Sequence, residues 1–225
     1  MGVRAVIVGL TGGIASGKSS ISNQLARMEF FIIDADVLAR EVVQPGTDGL
    51  REILAAFGEQ YASADGTLDR ERLGALIFSD PEARARLNGI VHPRVREAMR
   101  EKAQEYTMAD ARRVAVLDVP LLFEAGTHTL VDVTVLVYAP VPMQLTRLMK
   151  RNGLDERAAR QRIGAQMDIE EKRRMADVVV ENVGKEENVP RLATALGKVL
   201  RTMAAEGARA DGSFDRSHVG KVTLR

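Results

Sequence analysis

Val6-Ile7-Val8-Gly9-Leu10-Thr11-Gly12-Gly13-Ile14-Ala15-Ser16-Gly17-Lys18-Ser19-Ser20 decides the fold. It begins as an apolar, β-branched run and passes directly into G-x-x-x-x-G-K-[ST], with Gly12, Gly17, Lys18 and Ser19 at the fixed positions. Ile21, Leu25 and Met28 then continue at helical spacing, so the stretch reads strand, loop, helix. Glycines let the backbone turn so tightly that successive N–H groups converge on one point. A helix opened by Lys18 adds the partial positive charge of its N-terminus. Gly12, Gly13, Ile14, Ala15, Ser16, Gly17, Lys18, Ser19 and Ser20 therefore form a cradle suited to the phosphates of ATP. Within it the Lys18 ammonium can reach the β- and γ-phosphates and the Ser19 hydroxyl can hold Mg2+. Such a string arises by chance in about 1% of chains of this length. The plainer reading is a glycine-rich turn with no ligand, and the strand and helix on either side argue against it.

Working outward, the 225 residues are 45% hydrophobic and 28% charged, enough for one domain with an insertion or two small ones. A net charge of +1 creates no field that would draw the chain to nucleic acid or an anionic membrane. Six Phe, three Tyr and no Trp offer little for stacking bases. Cysteine is absent, which excludes disulfides and thiolate metal sites and agrees with a reducing compartment. His128 and His218 lack partners at ligand spacing. Asp118 and Asp132 interrupt the two longest apolar candidates for a membrane span. Met1-Gly2-Val3-Arg4 runs at once into the first strand, so no signal peptide is expected and the expected location is the cytoplasm. Nothing separates an exposed apolar stripe from core, and a monomer is the expected state.

Further strands are expected at Phe30–Ile33, Val114–Leu117, Val133–Tyr138 and Asp177–Val180, alternating with helices. Helices are expected over Val37–Val43, Leu50–Phe57, from the N-cap Asp69 through Phe78, and from Pro81 toward Tyr106 with a break at His92-Pro93. Pro142–Arg151, Asp155–Gln166 and Asn188–Ala205 complete the set. Five short strands separated by helices predict an α/β fold with a five-stranded parallel sheet. Between Pro45 and Arg113 no convincing strand occurs, so that stretch reads as a helical insertion. Beyond Gly207 periodicity is lost and a disordered tail is expected.

Ligands of parallel sheets bind beyond the carboxyl ends of the strands. The phosphate loop follows the first strand, and Asp34 and Asp36 follow the second. A carboxylate at Asp36 can accept a hydrogen bond from an acceptor hydroxyl and aim it at the γ-phosphate; the competing reading makes it a helix cap. Asp34 is expected to face magnesium or a loop. Asp118, ending the third strand, can hold a magnesium-bound water or stabilise a loop.

The chain resembles the dephospho-coenzyme A kinase family. The resemblance rests on Leu10-Thr11-Gly12-Gly13-Ile14 with Gly17-Lys18-Ser19, Ile33-Asp34-Ala35-Asp36, Ala39-Arg40-Glu41-Val42-Val43 before Pro45-Gly46, Asp65-Gly66-Thr67-Leu68-Asp69-Arg70, Leu87-Asn88 with Val91-His92-Pro93, Pro120-Leu121-Leu122-Phe123-Glu124, and Ala176-Asp177 leading to Asn182. It implies transfer of the ATP γ-phosphate to the ribose 3′-hydroxyl of dephospho-coenzyme A. It also implies a nucleotide-binding core at 1–44, 114–141 and 174–206, a helical substrate insertion at 45–113 and a lid at 142–173. Thr11, Asp36, Arg40, His92, Pro120, Leu121 and Leu122 would line the acceptor site, and Asn182 would lie near adenine. A lid arginine, Arg147 first and Arg151 second, would neutralise the transferring group, since guanidinium pairs bidentately with phosphate; a solvated basic face is the plainer fate of both. Two departures are visible: Met28-Glu29-Phe30-Phe31 where relatives carry a glycine, and Ala15 where glycine is frequent.

Three other readings compete. A nucleoside-monophosphate or other small-molecule kinase shares the loop but gives the long insertion no purpose. A GTP switch would carry Asn-Lys-x-Asp, which is absent. A nucleic-acid-binding NTPase is opposed by the charge balance.

Overall fold

The computed structural model describes residues 6–108, 113–207 and 214–225. The chain divides into two compact units: one takes the chain up to Ile33 and from Ala103 onward, the other is Asp34–Lys102.

The first unit is built on β1 (Val6–Gly12), in which every residue is buried. β3 (Val114–Asp118) and β4 (Val133–Tyr138) flank it in parallel, with Leu10 opposite Asp118 and Gly12 opposite Val137. β5 (Val178–Glu181) extends the sheet beyond β4, setting Tyr138 opposite Glu181. Strands covered on both faces read as continuous apolar runs, as these do. β2 (Phe31–Asp34) takes the outer place next to β3, giving the order β2-β3-β1-β4-β5-β6.

The sixth strand, β6 (Val222–Leu224), corrects the expected five. It comes from the stretch read as a disordered tail. Three residues are too few to show a period in the sequence; the open edge of β5 supplies the hydrogen-bonding template. Side chains hold the strand in place: Lys221 donates to the Arg174 carbonyl at 2.8 Å, Arg191 donates to the Arg225 carbonyl at 2.7 Å, and Arg225 pairs with Glu181 at 2.9 Å.

Helix α1 (Lys18–Arg27) buries Ile21 and Leu25 against the sheet, together with α9 (Val189–Gly207), which offers Leu192, Leu196 and Leu200 to the same core. α1 stops in a Schellman turn, with Phe30 N–H on the Leu25 carbonyl and Glu29 N–H on that of Ala26. The turn needs a left-handed residue, and Glu29 adopts φ 66° where glycine would be unstrained. Between β4 and β5 lie α6 (Val141–Asn152), α7 (Glu156–Gly164, capped by Asp155) and α8 (Ile169–Met175, capped by Asp168).

The second unit is helical, and after Asp34, the last residue of β2, none of its described residues lies in a strand. It begins with α2 (Ala35–Glu41), followed by α3 (Asp48–Phe57) and α4 (Arg70–Ser79, capped by Asp69). Its core joins Val43, Ile53, Leu73 and Ile90. The expected break at His92-Pro93 does not occur, because α5 runs unbroken from Pro81 to Met108. Proline removes one hydrogen bond from this turn. Arg94 donates to the Ile90 carbonyl at 2.7 Å, and buried Ile90, Val95 and Met99 anchor both sides.

Candidate active site

Beyond the carboxyl end of β1 the loop forms a closed turn, in which Ser16 N–H donates to the Gly13 carbonyl at 3.0 Å and Ser20 and Ile21 N–H donate to that of Gly17. Gly17 has φ 94°, and a methyl group on it would collide with the Asn182 amide. Conformation and space thus both require glycine there. A methyl on Gly12 would meet Ser16 Oγ and one on Gly13 the Gln144 amide. Gln144 is itself tied to the Ala139 carbonyl at 2.7 Å, so the loop rests on α6. Ala15 sits at φ 57°, left-handed at a position where glycine costs nothing.

Lys18 makes an ion pair with Asp118, and the β1–β3 register brings them together by placing Asp118 opposite Leu10. Asp118 is 5% exposed. Its buried carboxylate is therefore neutralised by the ammonium that the motif supplies. Ser19 is exposed in the first turn of α1. Thr11 is buried and donates to the Pro120 carbonyl at 3.0 Å, so two residues expected at the acceptor site are bonded to each other. Leu121 is 44% exposed, whereas Leu122 is wholly buried and packs against Gly9.

Asn182 follows β5, and its backbone N–H is fixed on the Tyr138 carbonyl at 2.8 Å. Its side chain is buried and donates to the Ser16 carbonyl at 2.9 Å. Asn182 Oδ1 and Ser16 Oγ have no hydrogen-bond partner among the described residues. Arg147, on α6, donates to the carbonyls of Ser16 at 3.4 Å, Asn182 at 3.0 Å and Gly184 at 3.3 Å. It staples the loop after β5 to the phosphate loop. Arg151, one turn on, is exposed and donates to the side-chain oxygen of its neighbour Asn152 at 2.9 Å.

Sequence reasoning missed Gln144 and Gln166. Gln166 accepts the Ile14 N–H at 2.9 Å from between α7 and α8. Neither glutamine has a local signal, since only the packing of α6 and the joint after α7 brings them to the loop.

In the second unit Asp34 is the N-cap of α2, accepting N–H bonds from Asp36 at 2.8 Å and Val37 at 3.2 Å. The capping reading thus falls to Asp34, and Asp36, in the first turn, has its carboxylate left for other work. Arg40 lies in the last turn of α2 and its carbonyl receives Arg70 at 3.4 Å. His92, on α5, has its pKa lowered from the ordinary 6.5, first by partial desolvation and then by the Arg96 guanidinium.

Three comparisons bear on this arrangement. The family model described as dephospho-CoA kinase (CoaE) matches residues 6–188. The dephospho-CoA kinase of Oceanobacillus iheyensis is 49% identical over 177 residues, covering 79% of this chain and 88% of that protein. That of Thermobifida fusca is 47% identical over 184 residues, covering 81% and 90%. Among solved structures, TT1252 from Thermus thermophilus superposes with a TM-score of 0.71 at 34% identity, covering 88% of this chain and 98% of that one. Dephospho-CoA kinase from Campylobacter jejuni superposes with a TM-score of 0.69 at 26% identity, covering 87% and 97%.

Proposed function

The chain belongs to the dephospho-CoA kinase family, and we propose that it transfers the γ-phosphate of ATP to the ribose 3′-hydroxyl of dephospho-coenzyme A, giving coenzyme A and ADP. The observation that carries this reading is the Gly12–Ser19 loop, closed over Gly17 by Asn182 and charged by Lys18, in a chain that matches the family over residues 6–188.

Phosphoryl transfer needs positioning and charge neutralisation more than a strong base. The loop amides and Lys18 bind the phosphates. Asp118 holds the Lys18 ammonium at the sheet edge until phosphate oxygens share it. The exposed Ser19 hydroxyl is a hard oxygen donor that would hold Mg2+, and Asp118 would hold a water bound to the ion, which needs few protein ligands. There it would supply neutralisation of the phosphate charge. Arg147 fixes the loop after β5, and with Asn182 it shapes the nucleotide side of the site. Asp36 offers a carboxylate, and carboxylates are weak bases for an alcohol. Its part is to accept the 3′-hydroxyl hydrogen bond and align the oxygen for in-line attack. Arg40, His92 and Leu121 offer the acceptor two cationic or polar groups and an apolar surface. The helical unit is the substrate insertion, the α6–α8 stretch the lid, and the enzyme acts as a monomer in the cytoplasm. Among the described residues no helix is long and apolar enough to cross a membrane.

The test is ADP release from Mg-ATP with dephospho-coenzyme A, AMP, shikimate or no acceptor. Release with dephospho-coenzyme A alone is expected. Release driven only by AMP or shikimate overturns the acceptor assignment.

A further inference from the structure

Ile14 is the third residue of the phosphate loop, and its N–H is already engaged by a neutral acceptor, Oε1 of Gln166 at 2.9 Å. Gln166 lies in the short joint between α7 and α8, and the rest of that joint is pinned. Met167 N–H donates to Glu124 Oε1 at 3.1 Å, and the same oxygen lies 2.6 Å from Lys172 Nζ. Lys172 is 0% exposed, and its ammonium has no well-directed hydrogen bond among the described residues, so the Glu124 charge is what keeps it there. Asp168 caps α8 through Glu170 and Glu171 N–H. Backbone and lysine are thus fixed to Glu124, in the segment after β3, while the Gln166 carboxamide hangs from the fixed joint onto the loop.

Convergent loop amides are donors for phosphate oxygens. An anionic oxygen makes a stronger hydrogen bond to an N–H than a carboxamide oxygen does. Two acceptors cannot both hold the Ile14 proton at full strength. We propose that Gln166 is a positioning residue that contests the Ile14 amide with a phosphate oxygen of bound ATP, so that nucleotide entry lifts the carboxamide off the loop while the α7–α8 joint stays in place. The inference rests on the reading of Gly12–Ser19 as an ATP site.

Competition has a signature that simple support lacks, because two substitutions shift affinity in opposite directions. Gln166→Met keeps the length and removes the acceptor, so it tightens binding of a non-hydrolysable ATP analogue with Mg2+ by about two- to tenfold. Gln166→Glu gives the amide a charged acceptor and sets a like charge beside the phosphates, so it weakens binding at least about tenfold. Titration calorimetry on the full chain reads both. The Ile14 amide resonance supplies the independent readout: it moves in Gln166→Met without nucleotide, and in wild type the Gln166 side-chain NH2 resonances move on analogue addition. Unchanged or weaker analogue binding by Gln166→Met overturns the proposal, as does an Ile14 resonance indifferent to the substitution. If these signs appear while dephospho-coenzyme A is not phosphorylated, the inference stands and the acceptor assignment falls. If wild type binds no ATP analogue, both fall.

Discussion

Asn182 donates its side-chain N–H to the carbonyl of Ser16 at 2.9 Å and in doing so lies directly over the Cα of Gly17. The residue that follows β5 therefore holds down the loop that follows β1. Asn182→Ala removes that bond and leaves the Ser16 carbonyl to Arg147, at an expected cost of about 1–3 kcal/mol. Gly17→Ala is the harsher change, because it adds a left-handed strain and a collision with Asn182 together. Both variants should lose ATP affinity by calorimetry, Gly17→Ala to beyond detection. Retention of affinity within twofold in Asn182→Ala would remove the buttress role.

Lys18 and Asp118 can be separated by a pairwise cycle. Lys18→Met strands a carboxylate that is 5% exposed, and breaking a buried pair costs about 3–5 kcal/mol. Adding Asp118→Asn removes the stranded charge, so thermal stability should recover in the double variant. Turnover should not recover, because the phosphate-binding ammonium is still missing. Equal melting temperatures for the single and double variants would mean that the pair carries no weight in the fold.

Asp36→Asn tests the alignment role we propose. Asparagine is close to isosteric, and the N-cap of α2 belongs to Asp34, so the helix should be kept. The turnover number should fall about 100-fold or more, a typical loss for a positioned acid–base group. ATP affinity should stay within twofold. Undiminished turnover would take Asp36 out of the mechanism.

Glu29 offers a gain in stability. It fills the left-handed position of the turn that ends α1, at φ 66°. Glu29→Gly relieves about 1 kcal/mol of backbone strain, offset in part by the larger entropy of glycine in the unfolded chain. A rise in melting temperature of about 1–3 °C is expected, with turnover unchanged. A fall would show that the Glu29 side chain contributes more than its backbone costs.

His92 makes stability depend on pH in a definite direction. Its folded pKa lies below the ordinary 6.5, so the unfolded chain binds the proton more tightly. The stability that His92 contributes is whole above the unfolded value and is lost as pH falls through the folded one. Melting temperatures from pH 8 to pH 5 should therefore decline more steeply for wild type than for His92→Gln. Parallel curves would sink the assignment.

Much of this protein could be read from the residues alone, and the reason is locality. The phosphate loop, the apolar strands β1, β3, β4 and β5, and the caps Asp69 and Asp155 are written within a turn or a strand of where they act. Unbroken apolar runs between helices allow few arrangements other than a parallel sheet. Pro93 misled because a local breaker was outweighed by packing on both sides of it. β6 was invisible because its three residues carry no period and owe their shape to the edge of β5.

The sequence by itself determined the fold class, the loop and its lysine, since each depends on residues that are neighbours along the chain. Only tertiary structure decided that Arg147 spends its donors on the carbonyls of Ser16, Asn182 and Gly184. It alone brought Gln166 to the Ile14 amide, across a separation of 152 positions. Hydrogen bonds act over about 3 Å, and at that range partners are chosen by how elements pack, which no spacing along the chain encodes.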